Sequence, residues 1–464
     1  MITKAQLHDY KEHDLAALYK RLRSCSSSYE ARVILENLGR LPSDFDGQVL
    51  VPFLTDSIRD TRFWAVKNLG KLEDIRFLHQ LSEVAAGDKS SIVRREAVSA
   101  IGRMRTKRAI PTLVKFLRDD DPNVVLQAMR ALLVFKSHER VKECLLDLRD
   151  HPNEQIQYVL DMEFTSKPTI SDYGMHHESP DYMKNVVVEG DTREVMKLLP
   201  DGCIHLTFTS PPYYNARDYS IYKSYQQYLD FLGEVFAAVH RITKEGRFLL
   251  INTSPVIVSR FSRKHSSRRY PIPFDLHTVV SNLGWDFIDD IVWAKPEASV
   301  KNRNGGFQQH RKPLGYKPNM VTEYVMVYRK KTTRLIDWNM RQYPKTVVDD
   351  SKVRGQFETT NLWQIDPMSD KVHSAVFPHD LCDRVVKYYS FKGDLVFDPF
   401  AGSGTFGLAA RRHKRNFFLT EIKKEYVDRM NQMMSTANAN GAVAQFQTVK
   451  TFEQDLATLV RQTE

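Results

Sequence analysis

An α-solenoid of helical repeats followed by an α/β domain with a mostly parallel sheet is the fold that the sequence predicts, and three observations predict it. A helical apolar pattern recurs four times in the first third of the chain, strands and helices alternate from Asn185 onward, and a glycine-rich turn joins a β-run to a helix near Gly402. Recurrence at a period just above thirty residues marks stacked helix pairs. Strand–helix alternation marks βαβ units around a covered sheet.

The repeats read "YEARVILENLG" around Ala31, "TRFWAVKNLG" around Ala65, "IVRREAVSAIG" around Ala97 and "NVVLQAMRALL" around Ala128, the alanines standing 34, 32 and 31 residues apart. Each unit is followed by a second apolar helix, as in "AIPTLVKFLRDDDP". A small alanine lets two helices approach, and Gly39, Gly70 and Gly102 stand where the first helix of each repeat is expected to end. The units resemble short HEAT repeats over residues 1–162. Such a solenoid serves as a scaffold or offers a long surface to protein or nucleic acid. The run "RREAVSAIGRMRTKR", with Arg94, Arg95, Arg103, Arg105, Lys107 and Arg108, reads either as a phosphate-tracking face or as a solvated one.

Residues 163–182, "EFTSKPTISDYGMHHESPDY", lose all periodicity and are read as a linker. From 183 to 464 come the strand "NVVVEGD", the helix "TREVMKLLP", the strand "IHLTFTS", the helix "YQQYLDFLGEVFAAVHRIT", the strand "RFLLINT", the helix "FDLHTVVSNLG", and the strands "FIDDIVWA" and "EYVMVYRKK". In open sheets of this kind, ligands bind outside the carboxyl ends of the strands.

Composition narrows the classes. The 42% hydrophobic and 27% charged content is ordinary for a globular protein, and the net charge of +10 favours a polyanionic partner unless the cations are dispersed. Cys25, Cys144, Cys203 and Cys382 stand far apart without C-x-x-C spacing, so neither a zinc site nor a disulfide framework is expected, and no metal is assigned. The charged amino terminus and the lack of a bilayer-length apolar run predict no signal peptide and no membrane span, hence a cytoplasmic protein.

Two motifs carry chemistry. In "TFTSPPYYNARDY" the pair Pro211-Pro212 ends a run of β-formers and holds the tyrosines after it in one extended shape. In "DLVFDPFAGSGTFGLAARRHKRNFFLTEIKKEY" a β-run enters a turn that opens directly into a helix, Gly402, Gly404 and Gly407 match G-x-G-x-x-G, and Glu421 comes after a second strand. A dinucleotide would rest its pyrophosphate on the helix amino terminus and its ribose on the acid. S-adenosylmethionine also needs a carboxylate for its ribose, but it is cationic and carries no phosphate. Asp398 before the glycines suits the cation and would repel a pyrophosphate.

The chain at this point resembles the amino-group DNA methyltransferases in their circularly permuted β-class order. The resemblance rests on "TSPPY" at Thr209–Tyr213, "DPFAGSGT" at Asp398–Thr405, "HSAVFP" at His373–Pro378 and "LTEIKKEY" with Glu421, over about residues 185 to 435. Departures are Ser374 where the family usually has Pro, and Phe406 where it usually has a second Thr. The resemblance implies a Rossmann-like, S-adenosylmethionine-dependent methyltransferase domain preceded by the HEAT-like solenoid. It implies a catalytic set of Ser210, Pro211, Pro212 and Tyr213, with the Ser210 hydroxyl and the Pro211 carbonyl accepting from the target amine and Tyr213 stacking on the base. It implies a cofactor set of Asp191, His373, Phe377, Asp398, Phe400, Gly402, Gly404, Thr405 and Glu421, although Asp191 also reads as the cap of the helix "TREV". Trp293 and Lys295 in "IVWAKP" match the motif beside the target-base pocket.

Double-stranded DNA is the implied substrate, and two cation-rich stretches are expected to face it. The first holds Arg260, Arg263, Lys264, Arg268 and Arg269; the second holds Lys301, Arg303, Gln308, Gln309, Arg311 and Lys312, and Lys295 precedes it. Arg, Lys and Gln are residues that read base edges, while a solvated loop is the plainer reading of each. In the family, target recognition falls between the two flanking motifs, here 296–372. Within it, Ser-Pro-Pro-Tyr is commoner in cytosine-N4 enzymes, which favours that base over adenine N6. The implied function is site-specific modification beside a cognate restriction endonuclease, which, or another protein, the repeats would contact. A non-catalytic, nucleic-acid-binding HEAT-repeat protein is the alternative of another class, and intact Ser210, Tyr213, Asp398 and Glu421 argue against it.

Overall fold

The computed structural model describes residues 3–165, 176–214, 222–258, 262, 264–265, 267–300, 313–314, 318–368, 376–435 and 443–463. The chain divides into two compact units, residues 1–167 and 168–464.

The first unit is helical. Helices Ser28–Asn37, Arg59–Leu72, Ser91–Arg103 and Pro122–Leu133 carry the four repeat alanines, and Ala31, Ala65, Ala97 and Ala128 are all buried, the last three within one continuous core. Successive first helices pack on one another. The glycines differ from expectation. Gly39 has φ +62° just past its helix, as a terminator should, but Gly70 and Gly102 lie inside their helices, which run on to Leu72 and Arg103. A Cβ on Gly70 would stand 2.7 Å from the Cβ of Ala100, and one on Gly102 would stand 2.6 Å from that of Ala131. Both glycines therefore permit close helix contact.

The basic run in this unit is partly consumed by ion pairs. Arg94 holds Asp119 at 2.8 Å, repeating the pairing of Arg62 with Asp88 at 2.7 Å in the preceding repeat, and Arg103 holds Glu96 at 2.7 Å. Arg95, Arg105, Lys107 and Arg108 carry no such pair among the described residues.

The second unit contains β1 (Val186–Glu189), β2 (Ile204–Thr209), β3 (Thr243–Thr253), β4 (Val256–Val258), β5 (Arg268–Tyr270), β6 (Trp285–Ala294), β7 (Thr322–Lys330), β8 (Leu362–Gln364), β9 (Leu395–Asp398), β10 (Asn416–Glu421) and β11 (Gln445–Thr448). Nine of them form one mixed sheet in the order β11-β1-β10-β9-β2-β3-β7-β6-β8, and β4 pairs with β5 as a separate ribbon. Strand β7 runs antiparallel to both neighbours, whereas the other pairings in the large sheet are parallel.

Alternation sends Val186, Val188, Ile204, Leu249, Ile251, Phe397 and Phe418 to one face, against helices Tyr225–Ile242 and Ile272–Asn282. Val187, Leu206, Phe208, Leu250, Val396, Phe417 and Leu419 go to the other, against helices His379–Tyr389, Thr405–Arg412 and Lys424–Met434. With both faces covered, the β-branched and aromatic runs of these strands are explained. Strands β7 and β8 lie inside the 296–372 region, so part of that region is sheet core, with Val325 and Val327 fully buried.

At the amino ends of β2 and β9 a buried polar network closes the sheet. The Tyr343 hydroxyl donates to Asp394 Oδ1 at 2.6 Å, Arg247 pairs with Asp394, and the Leu395 N–H donates to His205 Nδ1 at 3.0 Å. His205 Nδ1 is thus an acceptor, its proton lies on Nε2, and burial holds its pKa well below the usual value. Among the described residues no helix is long and apolar enough to cross a membrane.

Candidate active site

Strands β2, β9 and β10 are adjacent and parallel, so the turns that leave them converge on one edge of the sheet. A cavity of about 550 Å³ opens there, lined by Ser210, Pro211, Pro212 and Tyr213 after β2, Phe400, Gly402 and Thr405 after β9, and Glu421 at the end of β10. Motifs nearly two hundred residues apart in the chain meet in one pocket.

The glycine turn has the backbone that its residues demand. Gly402 and Gly404 have φ of +53° and +75°, a conformation that favours glycine, and Gly404 caps the helix that begins at Thr405. Glu421, from the neighbouring strand, pins this turn: its Oε2 accepts from the Gly402 N–H at 2.8 Å and its Oε1 from the Lys423 N–H at 2.9 Å. A carboxylate has about four lone-pair sites, so acceptor capacity remains for a ligand hydroxyl.

Asp398 sits behind the turn and off the cavity wall. Its Oδ1 accepts from the Thr209 hydroxyl at 2.6 Å and from the Phe400 N–H at 3.0 Å, which ties the residue before Ser210 to the glycine turn. Burial pushes the Asp398 carboxyl up to about 7 and holds Glu421 above the ordinary carboxylate range. Two acids that resist ionisation in an unliganded site become easier to ionise beside a cation. Glu421 on the cavity wall, with Asp398 adding its charge from behind the turn, therefore fits S-adenosylmethionine, whose sulfonium is permanently positive. Because only the ionised form attracts that charge, cofactor affinity is expected to rise from pH 6 to 8 by up to about tenfold and then level off. Titration calorimetry at both pH values checks this, and Asp398→Asn is expected to flatten the profile.

Tyr213 is anchored at both ends. Its backbone comes directly after Pro211-Pro212, and its hydroxyl is hydrogen-bonded to Ser210 and donates to Glu323 Oε2 at 3.1 Å. Burial and the Glu323 carboxylate raise the Tyr213 pKa well above the usual phenol value, so the ring is neutral. Glu323 also pairs with Lys295, whose ammonium lies 4.3 Å from the centre of the Trp293 ring. Lys295 is thus engaged inside the cavity. Trp293 itself is fixed by donating to the Ile365 carbonyl at 2.8 Å.

Among the remaining candidates, Asp191 lines the cavity but also caps its helix through the Arg193 N–H at 2.9 Å and pairs with the Arg193 guanidinium at 2.8 Å. Phe377 lines the cavity and stacks on Phe208 at 4.6 Å. Lys264, Arg268 and Arg269 are exposed, and the last two stand on β5, which pairs with β4. Arg260, Arg263, Lys301, Arg303, Gln308, Gln309, Arg311, Lys312 and His373 lie outside the described residues.

The sequence reading missed Glu323, Asn252, Phe231 and Tyr426, all on the cavity wall. For Glu323 a signal existed. An acid starting an otherwise apolar strand sits at the ligand edge if that strand runs antiparallel to its neighbours, and β7 does.

Comparison with known proteins places relatives over the same stretch. The DNA methylase family matches residues 204–432, and HEAT repeats match residues 78–160. The Type II methyltransferase M.XycI of Xanthomonas campestris pv. cyanopsidis is 27% identical over 289 residues, covering 55% of this chain and 89% of that protein. The Type II beta methyltransferase M.BslI of Bacillus sp. (strain NEB-606) is 26% identical over 254 residues, covering 52% of this chain but only 26% of the relative. Among solved structures, TTHA0409 of Thermus thermophilus, complexed with S-adenosyl-L-methionine, is 26% identical at a TM-score of 0.41, covering 54% of this chain and 94% of that one. The PvuII DNA methyltransferase (cytosine-N4-specific) is 20% identical at a TM-score of 0.41, covering 61% of this chain and 96% of that one.

Proposed function

We propose, starting from a chain that belongs to the DNA methylases through residues 204–432 and uses S-adenosyl-L-methionine as its cofactor, that it methylates the exocyclic N4 of cytosine in double-stranded DNA. The observation that carries the proposal is the meeting of Ser210 and Tyr213 with the Glu421-pinned glycine turn in a single cavity. When bound, the cofactor supplies an electrophilic methyl group.

The residues of the chain do the rest. An exocyclic amine is a poor nucleophile because its lone pair is delocalised into the ring. Acceptors on both of its N–H groups, the Ser210 hydroxyl and the Pro211 carbonyl, draw the nitrogen toward tetrahedral geometry and free the lone pair. Fixing those acceptors in advance avoids reorganisation at the moment of reaction. Pro211-Pro212 fixes them from the backbone side, and the tie from Thr209 to Asp398 fixes the strand end from beneath.

The target base leaves the duplex to reach this depth, at a cost of a few kcal/mol. Stacking on Tyr213, held at its hydroxyl by Glu323, offsets about 1–3 kcal/mol of that cost. Arg268 and Arg269 on β5, with the cation-rich stretch at 301–312, are the groups proposed to meet the phosphate backbone and base edges. The Type II relatives support a role as the modification partner of a restriction endonuclease. Tritium from methyl-labelled cofactor should enter unmethylated genomic DNA; label that enters RNA or protein instead, or no acceptor at all, would overturn the proposal.

A further inference from the structure

A second cleft, of about 440 Å³, opens at the opposite edge of the sheet. Lys392 precedes β9, and Lys414 and Arg415 precede β10, whereas the cofactor cavity lies beyond the other ends of the same two strands. Arg354 and Lys387 complete the cationic wall.

Charge in this cleft is not cancelled locally. Of the acids lining it, Glu358 and Asp380 are both bound by Arg384, at 2.6 and 3.0 Å. Arg354, Lys387, Lys392 and Lys414 have no carboxylate within ion-pair distance among the described residues, although Asp350 also lines the cleft. Arg415 is the more telling group, being only 5% exposed. Its guanidinium donates to the Ser390 hydroxyl at 3.1 Å, the His413 carbonyl at 2.7 Å and the Ser390 carbonyl, all neutral acceptors. The acid that bears on it, Asp394, is itself paired with Arg247. Burial pulls the Arg415 pKa down to about 10. A buried cation without its own counter-ion is costly, and an anion in the cleft would offset that cost.

We propose that this cleft is an anion site for phosphate groups, the chemistry shared by a nucleic-acid backbone and a nucleotide polyphosphate. Several convergent cations suit a multiply charged, tetrahedral anion better than a single carboxylate. The volume falls in the range of small-ligand clefts. Unlike the methylation reading, the site uses no residue of the cofactor cavity, so either can fail without the other.

The test uses the full chain and the double variant Lys387→Ala, Lys414→Ala, both positions being exposed and outside the catalytic cavity. Inorganic triphosphate and an arbitrary DNA duplex are the two probes, and an unchanged cofactor affinity certifies the fold of the variant. Triphosphate should bind the wild type and lose about tenfold or more in affinity in the variant. If a DNA backbone is the natural occupant, the slope of log affinity against log salt for the duplex also falls, by about two. A weakened triphosphate with an unchanged duplex slope assigns the site to a nucleotide phosphate. Triphosphate binding that is absent, or equal in the two proteins, together with an unchanged duplex slope, overturns the proposal.

Discussion

Ser210→Ala is expected to lower kcat for methyl transfer by about 10²–10³-fold or more while cofactor affinity stays unchanged. The variant removes a fixed acceptor for the amine, and loss of one preorganised group of this kind carries that magnitude. It leaves the cofactor side intact, because the strand end is tied down by Thr209 and Asp398, and the glycine turn by Glu421. Single-turnover kinetics beside equilibrium cofactor binding separate the two effects. Weakened cofactor binding with a normal chemical step would contradict the role given to Ser210.

Glu421→Ala has the opposite signature. The carboxylate accepts from two backbone N–H groups of the cofactor turns and has lone pairs left for a ribose diol. Two charge-assisted hydrogen bonds lost from a buried site cost about 3 kcal/mol or more, so affinity should fall about 100-fold or beyond. Glu421→Gln keeps one acceptor oxygen but turns the other position into a donor, and should lie between the wild type and the alanine variant. Calorimetric titration of the three proteins checks the order. An alanine variant that binds like the wild type would remove Glu421 from the cofactor site.

How far the sequence reached depends on what each residue signals locally. Strands β2 and β10 were legible from dense β-branched and aromatic runs, and the helix Thr405–Arg412 from the glycine turn before it. Strand β8 has three residues and β11 reads "QFQT", too short or too polar for a local signal, because the neighbouring strands confer their structure. The direction of β7 is a long-range property, and with it went Glu323, which as a lone acid before an apolar run reads as solvated. Gly70 and Gly102 look the same in sequence whether they end a helix or admit its neighbour; only the 2.6–2.7 Å approach of Ala131 and Ala100 distinguishes the cases. Strand β5 was hidden because it has three residues, two of them arginines, which read as part of a charged run. The meeting of "SPPY" with "DPFAGSG" was legible through the resemblance, and its physical cause is that β2 and β9 are parallel neighbours.

The most direct test of the central claim is the identity of the modified base. Unmethylated genomic DNA incubated with the full chain and S-adenosyl-L-methionine, then digested to nucleosides, is resolved by mass spectrometry. The account predicts N4-methylcytosine. N6-methyladenine in its place would contradict the reading of Ser210 as selecting cytosine while leaving the acceptor mechanism intact.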